Sequence, residues 1–246
     1  MAYVGPLEIG AIHRPAGLGR KPAQVSMPSP PLREGNPPLR DLLAALPVRH
    51  PKVDILLSSS LVRFLVVPST AEIESPRERQ QYAEVLFERE FGLSPGSFVL
   101  QVATEKPERS ALACAIERET LAHIVDACGG PRSVRSIVPL FVKIFNRARR
   151  SLASGPLAVV EPARLTLGVF AESTWAAVAS RAYMPEDAQA LLNMLSDYTP
   201  LLETSRNCYV FDPVNQRDGL ISSAWIPHAI GAPNGPFSLA ACGLAL

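Results

Sequence analysis

Residues 155–180 read GPLAVVEPARLTLGVFAESTWAAVAS, a pattern that few folds can satisfy. Leu157–Val160 is apolar throughout, and Glu161-Pro162-Ala163-Arg164 makes a turn. Leu165–Phe170 alternates, with Leu165, Leu167 and Val169 on one side. Ala171-Glu172-Ser173 turns the chain again and Trp175–Ser180 returns. Three short strands joined by tight turns predict a meander, the nucleus of an antiparallel sheet with one covered face. The residues before it read as one α/β unit and those after it as the start of another.

Composition narrows the function classes. The chain has 246 residues, 47% of them hydrophobic, enough to bury a core. A net charge of +1 supplies no bulk field for nucleic acid or an anionic membrane surface. The four cysteines, Cys114, Cys128, Cys208 and Cys242, form no CxxC pair and no metal spacing with the four histidines. They read as reduced core residues of a cytosolic protein. Met1–Arg20 has no apolar segment behind a basic start, so no signal peptide is expected, and Pro227, Pro233 and Pro236 break the apolar tail.

Along the chain, prolines crowd residues 1–38, which predicts an extended or flexible segment with at most an edge strand over Val4–Ile12. A brief helix is expected over Leu39–Leu46. Val53–Leu57 and Leu61–Val67 read as two strands of a hairpin turned by Ser58-Ser59-Ser60. The next helix has clear signals: Ser75 as N-cap, Pro76 at N1, Glu78 at N3 and Gly92 at its end. Strands follow at Phe98–Ala103 and Ala111–Ile116, and a helix at Glu119–Cys128 carries Leu121, Ile124, Val125 and Cys128 on one stripe. Val134–Val138 is a strand, and Pro139 opens a helix ending near Leu152. Beyond the meander come a helix started by Pro185 and Glu186, a strand at Cys208–Phe211, and an irregular tail from residue 213 to 246.

Five stretches carry a family resemblance: VDILLSSSLVRFLVVP (53–68), YAEVLFEREFG (82–92), LACAIERETLAHIVDACG (112–129), SIVPLFVKIFNR (136–147) and LAVVEPARLTLGVF (157–170). Together they resemble the actin-like cytoplasmic proteins of type IV pilus and type II secretion machines: the PilM family, the cytoplasmic part of GspL and the MshI-type biogenesis proteins. The resemblance spans about residues 48–200. It implies an α/β, actin-like fold of the Hsp70 and sugar-kinase superfamily (RNase H-like), incomplete or degenerate here. Residues 39–154 would form a first lobe and 155–212 the start of a second, after the flexible segment 1–38.

In that superfamily, nucleotide phosphates lie between two Asp-x-Gly turns. Glycine lets backbone N–H groups approach phosphate, and the carboxylate holds Mg²⁺ through water. The resemblance puts the second turn at Glu161-Pro162-Ala163. Glu161 keeps a carboxylate, Pro162 has no N–H to donate, and Ala163 disfavours the positive φ of glycine. The first turn would fall in Leu7-Glu8-Ile9-Gly10. The expectation is a degenerate phosphate turn at Glu161 and Ala163, a pseudo-ATPase without ATP or Mg²⁺, and no catalytic or metal-binding residue. The alternative is a degenerate ATPase that still binds Mg-ATP through Glu8 and Glu161.

Other candidates read as structural. Ser58-Ser59-Ser60 lacks a nucleophile-elbow motif and suits a polar turn. His50 and His123 make no metal pair. Arg164 stands beside Glu161 and could neutralise it. Arg63 and Phe64, on a hairpin strand, are the candidate partner-binding residues. The resemblance implies a non-enzymatic scaffold on the cytoplasmic face of the inner membrane. Its partner would be a bitopic platform protein, docking through a short cytoplasmic N-terminal peptide. A second copy of the chain is another candidate partner, and nucleic acid is not.

Overall fold

The computed structural model describes residues 1–5, 8–13, 23–28, 37–46, 52–73, 75–103, 106, 108–150, 152, 155–184, 189–201, 207–212 and 226–229. Two five-stranded sheets are built on one plan. The first contains β1 (Ala2–Val4), β2 (Glu8–His13), β3 (Ala23–Pro28), β4 (Val53–Leu57) and β8 (Val134–Pro139) in the order β3-β2-β1-β4-β8. The second contains β9 (Gly155–Glu161), β10 (Arg164–Ala171), β11 (Thr174–Ala182), β12 (Asn207–Phe211) and β13 (Ile226–Ala229) in the order β11-β10-β9-β12-β13. In each, an antiparallel meander comes first. A helix follows it, α1 (Pro37–Ala44) in one half and α5 (Ala190–Tyr198) in the other. The next strand then lies parallel to the meander's first strand: β4 on β1, β12 on β9. The chain is a topological duplication.

Between β4 and β8 the first half carries a smaller unit. Strands β5 (Arg63–Val67), β6 (Phe98–Val102) and β7 (Ala111–Glu117) form an antiparallel sheet in the order β5-β7-β6, covered by α2 (Pro76–Phe91). The start of α2 follows the sequence reading: Ser75 Oγ accepts from the Glu78 amide at 3.2 Å, and the Ser75 amide donates to Glu78 Oε2 at 3.0 Å. Gly92, at φ 64°, ends it in the left-handed conformation. Helix α3 (Arg118–Ala127) leads back to β8, and α4 (Leu140–Ala148) crosses to the second half.

The two halves share one core. Phe141 and Phe145 of α4 meet Trp175 at ring-centroid distances of 5.9 and 4.4 Å. Phe170 packs edge-on to Phe145 at 5.1 Å, and Phe64 edge-on to Phe141 at 5.5 Å. Gly168 of β10 makes this possible, because a Cβ there would lie 2.5 Å from Phe141 Cζ and 2.7 Å from Trp175 Cζ3. Ser110, before β7, holds the far end of the β10–β11 hairpin: its amide donates to Thr174 Oγ1 at 3.0 Å and its hydroxyl to the Trp175 carbonyl.

Three sequence expectations are corrected. The proline-rich N-terminal segment contributes three strands, and β1 is central, between β2 and β4, with Ala2, Tyr3 and Val4 buried. Pro28 is the last residue of β3, which is the edge strand of its sheet among the described residues, and Pro37 and Pro38 are the first residues of α1. Both are sites that tolerate a missing N–H. The 53–67 hairpin does not form, since β4 and β5 belong to different sheets. The tail contains β13, paired in parallel with β12. The expected helix start at 185–186 lies outside the described residues, where the helix is seen from Ala190.

Candidate functional site

The site is built where the two duplicated halves face each other. Glu161 is the last residue of β9, and its partner across the turn is Arg164, the first residue of β10. Pro162 and Ala163 form the two-residue connection, and neither has positive φ. Contrast the β10–β11 turn, where Glu172 and Ser173 lie at φ 50° and 63°. With φ preset by proline, the β9–β10 turn closes without the left-handed residue that would aim amides outward. The Ala163 carbonyl accepts from the Tyr183 amide at 3.2 Å.

Glu161 points inward. Its side chain is fully buried and crosses to the first half. Oε1 and Oε2 accept from the Ser59 amide at 3.2 and 3.0 Å, and Oε1 accepts from the Tyr3 hydroxyl at 3.2 Å. Ser59 lies in the single 3₁₀ turn Ser59–Leu61 that follows β4. That turn is itself held: the Ser58 amide donates to the Val4 carbonyl at 2.8 Å and Ser58 Oγ accepts from the Ser60 amide at 3.2 Å. Burial pushes the Glu161 carboxyl above the ordinary carboxylate range, while hydrogen bonds from Ser59, Ser58 and Tyr3 pull it back.

The first-half counterpart differs from expectation. Ile9 and Gly10 lie inside β2, paired with Val4 and Tyr3, so these two residues form no turn. Glu8 opens β2 opposite Pro28, and Leu7 lies outside the described residues. Gly5 follows β1, and a Cβ on it would meet Tyr3 Oη at 2.8 Å. The Tyr3 ring therefore covers Gly5 while its hydroxyl reaches Glu161. A phosphate turn needs free amides and a carboxylate facing a hydrated cation. Glu161 faces neither solvent nor a cleft, and residue 162 has no N–H, so these residues do not fit a metal–phosphate group.

The remaining candidates separate. Arg63 is exposed at the start of β5, whereas Phe64 is buried against Phe141 and packs the core instead of facing a partner. Arg164 is half-buried and makes no hydrogen bond to Glu161: its Nε is buried without a partner among the described residues. Ser60, Leu61, Arg63, Leu93, Glu117 and Thr120 line a groove of about 120 Å³ beside the Ser59–Leu61 turn. Burial raises the thiols of Cys114 and Cys128 to about 11 and that of Cys208 to about 12, so none is a nucleophile near neutral pH. Among the described residues no His, Cys, Asp and Glu group could hold a metal ion. No helix among them is long and apolar enough to cross a membrane.

Solved structures share this fold. The cytoplasmic domain of EpsL, an inner-membrane component of the type II secretion system of Vibrio cholerae, superimposes with a TM-score of 0.61 at 14% identity, over 94% of this chain and 89% of that one. A Bacteroides thetaiotaomicron protein of unknown function with an actin-like ATPase fold gives 0.60 at 11% identity, over 89% and 83%. The fold is actin-like. A third actin-like neighbour comes from the PilM–PilN type IV pilus biogenesis complex, with a TM-score of 0.59 at 15% identity over 94% and 87%. No protein-family model matches the sequence, and no curated protein matches it. The actin-like core here is two duplicated sheets with the small β5-β7-β6 unit between β4 and β8, and its β9–β10 turn starts from a buried glutamate. Tyr3 and Ser59 were not legible as site residues, because a hydroxyl and a backbone amide carry no local motif.

Proposed function

We propose that this chain is a non-enzymatic assembly component of a type IV pilus or type II secretion-like machine. In this reading it works at the cytoplasmic face of the inner membrane, by binding a bitopic platform protein through that protein's short cytoplasmic segment. One observation carries the reading: the Glu161 carboxyl is committed to the Ser59 amide and the Tyr3 hydroxyl instead of facing a cleft. A turn used this way ties the halves together and keeps its carboxylate away from a phosphate-bound cation. Two fold neighbours support the choice of machine, one being a domain of a type II secretion component and one belonging to a pilus biogenesis complex with PilN. A groove beside Arg63 offers a place for an extended peptide.

Thermal unfolding with and without Mg-ATP tests the nucleotide half of the proposal. A ligand at about 100 times its Kd adds roughly 2.7 kcal/mol, which is about 5–10 °C for a chain of this size. No shift is expected, and a clear upward shift overturns the scaffold reading in favour of a degenerate ATPase. The partner half is tested by co-purification from detergent-solubilised membranes. The expected result is one bitopic protein, lost when its cytoplasmic segment is deleted; capture that survives the deletion overturns the docking mode.

A further inference from the structure

We propose that the outer edge of β6 is closed to an added strand by the side chains of Arg118, Gln80 and Gln101, and that without them two copies of this chain pair through β6. The small sheet has two edge strands, β5 and β6. β11 of the second half packs against β5. β6 pairs with β7 alone among the described residues, so its other side is where a further strand would add.

The sequence of β6 suits such an addition. Phe98-Val99-Leu100-Gln101-Val102 carries no charge and no proline, and Phe98, Val99 and Val102 are strong strand formers. An edge of this kind presents a row of backbone donors and acceptors that templates another strand. Nothing in an uncharged strand repels its own copy, and two identical edges can pair antiparallel about a twofold axis.

Register fixes which groups face outward. β6 is antiparallel to β7, with Phe98 opposite Glu117 and Val102 opposite Ala113. The Arg118 amide donates to the Ser97 carbonyl at 2.9 Å, and the Ala103 amide to the Leu112 carbonyl at 2.8 Å. Ser97 and Ala103 therefore turn their backbone groups towards β7, as do Val99 and Gln101 between them. The alternate residues Phe98, Leu100 and Val102 point their N–H and C=O groups the other way.

Each of these three outward carbonyls is taken by a side chain. Arg118 Nη2 donates to the Phe98 carbonyl at 3.3 Å, Gln80 Nε2 to that of Leu100 at 3.2 Å, and Gln101 Nε2 to that of Val102 at 3.1 Å. Arg118 Nε also holds the carbonyl of Gly96, just before the strand, at 2.8 Å. The donors come from α3, α2 and β6 itself. An incoming strand needs the same carbonyls as acceptors, so it must displace these hydrogen bonds, the one from Arg118 charge-assisted.

Sedimentation equilibrium and amide hydrogen exchange test this on the wild type and on the triple variant Gln80→Ala, Gln101→Ala, Arg118→Ala. The triple variant should self-associate about tenfold more tightly than the wild type. Its amides at Phe98, Leu100 and Val102 should gain protection as concentration rises, because a second strand takes them, while those of β7 stay as they are. Gln101→Lys in place of Gln101→Ala should cancel the gain, since lysine blunts a strand edge. If the triple variant does not fold, Arg118→Ala alone, an exposed change, decides by the same readouts with a smaller gain. Association that stays at the wild-type level, or that rises without protection of these three amides, overturns the proposal. Concentration-dependent protection of the same amides in the wild type does so too, because the edge would then be open already.

Discussion

Glu161 Oε2 accepts a hydrogen bond from the Ser59 amide at 3.0 Å across a separation of 102 residues. With the Tyr3 hydroxyl on its other oxygen, it joins the meander of the second half to the first strand of the first. Removing it strands the buried Ser59 N–H, at about 1–3 kcal/mol, and takes an acceptor from the Tyr3 hydroxyl. Glu161→Ala should therefore destabilise the protein by roughly 2–4 kcal/mol. Glu161→Gln keeps one acceptor oxygen and the shape, and should cost about 1 kcal/mol. Urea unfolding of both variants checks this, and a Glu161→Ala variant of wild-type stability would mean that the tie contributes nothing.

The same carboxyl makes stability depend on pH. Burial raises its folded-state pKa, so over the interval between the unfolded and folded values the folded state binds more protons than the unfolded state. Its contribution is fully present below the ordinary carboxylate pKa and is lost as pH rises through the raised value. The slope reaches at most about 1.4 kcal/mol per pH unit. Unfolding midpoints for the wild type minus those for Glu161→Gln, measured at several pH values, should fall with rising pH across that interval. A flat difference would show that Glu161 titrates alike in both states.

How far the sequence could be read follows from where each interaction lies along the chain. The capping box of Ser75 and Glu78 and the end at Gly92 were legible because cap, helix and stop fall within one short segment. The meander was legible for the same reason. Strand β1 has three residues, and it exists because β4, some fifty positions later, and β2 flank it; no local pattern announces that. The prolines around it mark connections and edges, which composition alone cannot tell from a flexible tail. At the site, Glu161 was legible as the residue ending a strand before a turn. Its inward direction was not, because that depends on Ser59 and Tyr3 arriving from elsewhere. Phe64 follows the exposed Arg63 and so faces the other side of β5, where α4 brings Phe141 onto it; which side is covered depends on α4, far along the chain.

Gly168 is required by packing. It sits mid-strand in β10, where glycine is a poor choice for a sheet, and the rings of Phe141 and Trp175 rest on its bare Cα. Gly168→Ala should push both rings and cost about 1–3 kcal/mol as overpacking. Trp175 fluorescence should shift with it. An alanine variant of wild-type stability and unchanged emission would show that the rings have room to move.

Glu172 and Ser173 form the β10–β11 turn with φ of 50° and 63°, and neither is a residue that favours that region. Asn and Gly at these two positions suit a turn with two left-handed residues. Glycine in turn enlarges the entropy of the unfolded chain, which offsets part of the gain. The contact from Arg109 Nη1 goes to the Ser173 carbonyl, a backbone atom that the exchange keeps. The double change Glu172→Asn with Ser173→Gly should stabilise the protein by about 1 kcal/mol, or a rise in Tm of about 2–4 °C. Scanning calorimetry reads it directly. A fall in Tm would mean that the native side chains make contacts at this hairpin tip worth more than the strain of their backbone.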